Sequence, residues 1–167
     1  MKKIILGAAL IALSAGAAQA ATGSTSTATG SATATVVAPL KIVYLATAAL
    51  NFGTFTAGTG GTVVVTSAGV GSVTGDVGTV NGNANSADQF TVTGDGTRSF
   101  NITTSTGNQV STGGATPATM AFAVATPASA ALVAGAYTLN VGGTLTVANN
   151  QAAGAYTGSY TVTVTYQ

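Results

Sequence analysis

The sequence predicts an all-β protein, an antiparallel β-sandwich of immunoglobulin-like type with about nine short strands. Apolar and polar residues alternate with a period of two in several stretches, most clearly over Gly154 to Gln167. Glycine-rich turns separate these stretches, and beyond the first twenty residues no window shows the 3.6-residue period of an amphipathic helix. A closed barrel is the alternative architecture. An outer-membrane barrel would call for longer strands and two aromatic girdles, whereas the chain has five Phe and five Tyr and ends in Gln167.

The first twenty residues stand apart. Lys2 and Lys3 precede an apolar run, Ile4 to Leu13, too short to span a bilayer, and Ala18-Gln19-Ala20 is a small-x-small cleavage signal. This is the pattern of a secretory signal peptide, residues 1–20, with cleavage expected before Ala21. Export to the periplasm, then to the cell surface or beyond, follows as an expectation. No other segment is expected to span a membrane. Residues 21–31 contain only Ala, Thr, Gly and Ser, which bury too little to offset their ordering entropy, so they are expected to form a flexible arm. The remainder, 32–167, is expected to form the sandwich.

Within it, Ala32 to Leu45 alternates on even positions but is interrupted by Pro39, which cannot donate to a ladder; it predicts an edge strand or one that changes sheets. Leu50 to Phe55 predicts a short strand with a bulge or close approach at Gly53. Thr62 to Thr66 (TVVVT) is apolar enough to be central, and Val70 to Val80 predicts a twisted hairpin or irregular pair. After a loop at Asn81 to Asp88, Gln89 to Thr93 and Ser99 to Thr103 flank Gly94-Asp95-Gly96 and predict a hairpin. Gly107 to Ala118 is a polar connection. Met120 to Ala125, Tyr137 to Val141, Thr144 to Val147 and the terminal segment are the remaining expected strands.

Composition argues against an enzyme. The chain has no His, Cys, Glu or Trp, which removes the usual metal ligands, most general acids and bases, and the thiol nucleophile. No catalytic residue, metal site, cofactor or small-molecule substrate is expected. Beyond the signal peptide, Lys41 and Arg98 stand against Asp76, Asp88 and Asp95, a formal net charge of −1, so no basic patch offers itself to nucleic acid. Charged residues are 4% of the chain, against about 25% in typical domains, which predicts a weakly self-repelling surface of Thr, Ser, Asn and Gly.

Counted back from the C-terminus, Tyr166 is penultimate, Val164, Val162 and Tyr160 follow at alternate positions, and Gly154 lies further upstream. This pattern resembles the terminal-strand motif of pilus subunits assembled by the chaperone-usher pathway. The resemblance implies a partner-strand groove formed by Gly154, Tyr160, Val162, Val164 and Tyr166. A periplasmic chaperone, or the N-terminal extension of another copy, would add a strand there. The segments ATATVVAPLKI, LNFGTF and GGTLTVANNQAAGAYTGSYTVTVTY resemble a bacterial exported family, domain of unknown function 4402, similar in plan to spore-coat-U-like and pilin-like proteins. Together these resemblances imply a pilin-like sandwich serving as a structural subunit of a pilus or surface fibre. The alternative is a self-complete monomeric adhesive or binding module of the periplasm or matrix. Residues 21–31 offer nothing larger than Thr as a donor strand, so the donor candidates are Ala32, Ala34, Val36, Ala38 and Leu40.

Two other patterns have plainer readings. Asn81, Asn83, Asn85 and Asp88 are spaced as oxygen ligands in calcium loops are, but with one carboxylate and no closing glutamate they read as an Asx-rich turn. Lys41 between Leu40 and Ile42 reads as a lysine snorkelling to water rather than one crosslinked to Asn51.

Overall fold

Thirteen antiparallel β segments, and no helix, make up the described part of the molecule. The computed structural model describes Gly23 and residues 25–167; the expected signal peptide and part of the expected arm lie outside it. Residues 25–35 are exposed and belong to no ladder. The fold below is that of the unit Val36–Gln167.

The larger sheet runs β1 (Lys41–Tyr44), β6 (Asp88–Thr93), β11 (Ala136–Val147), β9 (Thr119–Ala125), β8 (Asn108–Ser111), β12 (Thr157–Gly158). The hairpin of β3 (Gly61–Val65) and β4 (Gly71–Gly75) joins it through β3, which pairs with the second half of β11. A three-stranded sheet, β10 (Ser129–Ala131), β7 (Ser99–Thr104) and β13 (Val162–Tyr166), forms the facing layer. A short pair, β2 (Phe55–Thr56) and β5 (Gly78–Thr79), completes the set. The two layers meet where Val92, Leu139 and Val141 of the larger sheet pack against Phe100 and Ile102 of β7, with Leu132 beside them. All are nearly inaccessible, which is the burial expected between the inner faces of a sandwich.

Several local expectations hold in altered form. Of Ala32 to Leu45 only Lys41–Tyr44 enters a ladder, because Pro39 lacks an N–H and the preceding side chains are too small to repay ordering. Of Leu50 to Phe55, only a bridge from Asn51 to Ser86 and the start of β2 are paired. Gly53 sits at φ 76°, and a Cβ there would collide with the Asn83 side chain. Within Val70 to Val80, β4 and β5 pair with β3 and β2 rather than with each other. The expected hairpin between Gln89 to Thr93 and Ser99 to Thr103 is instead a crossing between layers. Both strands form, but β6 pairs with β1 and β11 while β7 pairs with β10 and β13. Val92 and Phe100 thus face one another across the core.

The two strands expected at Tyr137 to Val141 and Thr144 to Val147 are one strand of twelve residues. Gly142 and Gly143 do not turn the chain. They admit close neighbours, since a Cβ at Gly142 would lie 2.4 Å from the Val65 carbonyl oxygen. The expected terminal strand likewise spans both layers, with β12 on β8 and β13 on β7.

Candidate functional site

The seam between β1 and β13 is where the sandwich is left open. Each is an edge strand, β1 of the larger sheet and β13 of the smaller, and no ladder joins them although they lie side by side. Val162, Val164 and Tyr166 face the core from β13, while Thr163 and Thr165 face water, as the alternation predicts. From the other side of the seam Leu40 and Ile42 face the same core. Yet none of these five inward residues is fully buried; all stay partly exposed, while Phe100 and Ile102 on the neighbouring β7 are 0% and 5% exposed.

One end of the seam is closed. The Tyr166 hydroxyl donates to the Ala38 carbonyl at 3.0 Å and accepts from the Asp95 N–H at 2.7 Å. The other end opens into a cleft of about 1270 Å³, with Tyr44 of β1 and Tyr160, just before β13, in its lining. Two chain segments form much of its remaining wall, residues 49–57 and 151–160, over a floor that includes Met120, Phe122 and Leu145.

Aromatic rings follow one another through this lining. Centroid distances are 5.5 Å from Tyr44 to Phe90, 6.3 Å from Phe90 to Tyr160, 6.2 Å from Tyr160 to Phe122 and 6.1 Å from Phe122 to Phe52. Tyr44 and Phe90 are tilted at 55°, and the other three pairs, inclined by 64° to 83°, take the edge-to-face arrangement that ring quadrupoles favour.

Asp88 is the one ionisable carboxyl group in the lining, and it is buried at 5% exposure. Its Oδ1 accepts from the Gln89 N–H at 2.8 Å and its Oδ2 from the Tyr160 hydroxyl at 2.7 Å. Burial first, then the hydrogen bond to Asp88 and its charge, raise the Tyr160 pKa above the usual phenol value, so the hydroxyl stays a donor at any physiological pH. The Asx-rich loop that leads to Asp88 holds the cleft wall. Asn83 Oδ1 accepts from the Thr54 N–H, Asn83 Nδ2 donates to Asn85 Oδ1, and Asn85 Nδ2 donates to the Phe52 carbonyl. The two bonds to backbone tie this loop to residues 52–54, about thirty positions away in the chain, rather than closing a local turn. Among the described residues no group of three His, Cys, Asp or Glu side chains could hold a metal ion, and no helix is long and apolar enough to cross a membrane.

Of the residues singled out in the sequence, Tyr160, Val162, Val164 and Tyr166 share one core-facing row along the seam. Gly154 is apart from that row, in the cleft wall. Ala32, Ala34 and Val36 are exposed and unpaired, Val36 at 96%, while Ala38 and Leu40 are engaged through Tyr166 and the core. Lys41 is exposed on β1, opposite Thr93. Tyr44, Phe52, Phe90 and Phe122 complete the cleft without having been singled out as site residues, and Asp88, weighed in the sequence only as part of an Asx-rich loop, joins them. Their positions in the chain carry no local pattern that would have found them.

A family model described as a domain of unknown function (DUF4402) matches residues 42–166. The chain belongs to that family. No curated protein and no solved structure matches it. The DUF4402 match opens inside β1 and closes on the last residue of β13, so it contains β13 and nearly all of β1, while Ala32 to Leu40 lies outside it.

Proposed function

We propose that this DUF4402 protein is an exported structural subunit of a bacterial surface fibre, joined to a neighbouring polypeptide by addition of a β-strand along β13. The observation that carries this reading is the unpaired edge of β13, whose inward residues Val162, Val164 and Tyr166 remain partly exposed beside an otherwise buried core. An added strand would complete the ladder through main-chain bonds and cover those side chains with its own alternate residues. Exposed edges are usually protected by charge, proline or a bulge, and β13, reading VTVTY, has no proline and no charged residue. The low charge of the surface suits close packing against other subunits.

The test is Val164→Asp in the producing bacterium. A carboxylate facing the core beside the added strand would be left unpaired, so the variant should be missing from surface fibres that contain the wild-type chain. Equal incorporation of both, at equal amounts of folded protein, would overturn the reading.

A second reading, a self-complete adhesive or binding module, draws on a different observation: Val92, Phe100 and Val141 are already at 0% exposure without any added strand. It predicts a purified chain that is monomeric, unfolds cooperatively and is not stabilised by any added strand.

A further inference from the structure

The chain has three aspartates, and their surroundings differ. Asp76 is exposed, and Asp95 Oδ2 lies 2.8 Å from Arg98 Nε. Asp88, at 5% exposure, receives only neutral donors, the Gln89 N–H and the Tyr160 hydroxyl. Those bonds occupy one lone pair on each oxygen and leave the charge uncompensated, whereas a buried charge is ordinarily matched by an opposite one. Among the described residues no ion pair includes Asp88: Lys41 is exposed on β1, and Arg98 is engaged by Asp95.

We infer that the cleft is a binding site for a small organic amine, taken up in its ammonium form, with the cationic nitrogen against Asp88 and an apolar body among the aromatic rings. The inference goes beyond strand addition and does not depend on whether β13 accepts a strand.

The lining favours a cation over other ligands. It contains no lysine and no arginine, so an anion would meet a like charge and no opposite one. Its three tyrosine hydroxyls already donate, Tyr44 to the Ala48 carbonyl, Tyr156 to the Ala152 carbonyl and Tyr160 to Asp88. A bare metal ion would need several oxygen or nitrogen ligands together, and among the described residues no group of three His, Cys, Asp or Glu side chains supplies them.

The rings point the same way. The face of an aromatic ring attracts a cation placed within about 6 Å of its centroid. Phe90, Tyr160 and Phe122 follow one another at 6.3 and 6.2 Å with planes inclined by 75° and 83°, the relation between adjoining walls of a cage rather than a flat platform. Tyr160, the middle ring, is also the donor to Asp88, so the rings and the charge meet at one place. Beside it the apolar floor of Met120, Phe122 and Leu145, in a cleft of about 1270 Å³, has room for the body of the ligand. A mostly apolar lining with a few placed polar groups is the usual make-up of a small-molecule site.

The experiment uses the purified exported chain and three probes of one shape, 4-phenylbutylamine, 4-phenylbutanol and 4-phenylbutyrate, which are cationic, neutral and anionic at neutral pH. Isothermal titration should show the amine binding at least about tenfold more tightly than the alcohol, and the carboxylate more weakly than either. Asp88→Asn removes the charge at nearly constant size and should bring the amine to the level of the alcohol. Should that variant fail to fold, Phe90→Leu decides: it removes the ring beside Tyr160 but keeps an apolar side chain, so the amine should lose about threefold or more in affinity and the alcohol little. Equal binding of amine and alcohol, a preference for the carboxylate, or no binding of any probe at millimolar concentration overturns the inference. So does an amine preference that survives Asp88→Asn, or an equal loss of amine and alcohol in Phe90→Leu. None of these results touches the strand-addition reading, which fibre incorporation of Val164→Asp decides.

Discussion

The two core clusters of this sandwich are built from similar residues and end differently. Val92, Phe100, Ile102, Leu132, Leu139 and Val141 are enclosed between two sheets, with exposures from 0% to 5%. Val63, Val77, Met120, Phe122, Leu145 and Val147 are buried nearly as well, but Met120, Phe122 and Leu145 line the cleft rather than meeting a second sheet. The first cluster has its partner within the chain. The second is covered over the cleft by residues 49–57 and 151–160, which carry few ladder bonds. The enclosed core and the cleft are therefore placed in different halves: one packed between two sheets, the other covered in part by loop segments in place of a second sheet.

Phenylalanine truncation breaks this comparison most directly. Phe100→Ala should cost about 4 kcal/mol, because it removes a fully buried ring and leaves an enclosed cavity that the two sheets cannot collapse around. That is a large share of the stability of a typical domain, and urea unfolding would measure it. Phe122→Ala should cost less, about 2 kcal/mol, since the lost ring enlarges a cleft already open to water and only the transfer contribution remains. Equal losses for the two variants would mean that the cleft-facing cluster is packed as tightly as the other.

Tyr160→Phe probes the boundary between the halves. It leaves Asp88 Oδ2 buried without its donor, for an expected loss of roughly 1–2 kcal/mol at neutral pH. The pH dependence has a definite sign. The folded-state pKa of Tyr160 is raised above its unfolded value, so its stabilising contribution is fully present below about pH 10 and is lost as pH rises further, when the unfolded chain releases the proton first. The gap in stability between wild type and Tyr160→Phe should thus be constant up to about pH 10 and narrow above it. A gap that is flat through pH 11 would show that the hydroxyl is not held by burial and Asp88.

The same contrast explains what could be read in the sequence. The inward row from Tyr160 to Tyr166 is visible because a strand's alternation is a local property, and so is the edge character signalled by Pro39. Layer assignment is not local. Gln89 to Thr93 and Ser99 to Thr103 carry the same pattern whether they pair side by side or face one another, and only the packing of Val92 against Phe100 decides it. Gly142-Gly143 reads as a turn because glycine marks both turns and close approaches; the Val65 carbonyl, far away in sequence, makes it the latter. The cleft was the least legible feature of all. Tyr44, Phe52, Phe90, Phe122 and Tyr160 come together only after β1, β6 and β9 have been laid in one sheet and the terminal segment in another.

The smallest expected effect lies at the closed end of the seam. Arg98 Nε lies 2.8 Å from Asp95 Oδ2, with the side chains 50% and 40% exposed. Solvent screening and the entropy of holding a long side chain leave such a pair worth less than about 0.5 kcal/mol. The turn does not depend on it. The Asp95 N–H donates to the Tyr166 hydroxyl, the Arg98 N–H to the Asp95 carbonyl and the Leu132 N–H to the Arg98 carbonyl, so backbone bonds and one tyrosine fix its course. Arg98→Ala should therefore unfold within about 0.5 kcal/mol of wild type, with little change when salt is added. A larger or strongly salt-dependent loss would move the anchor of the closed end from the buried layers to its surface charges.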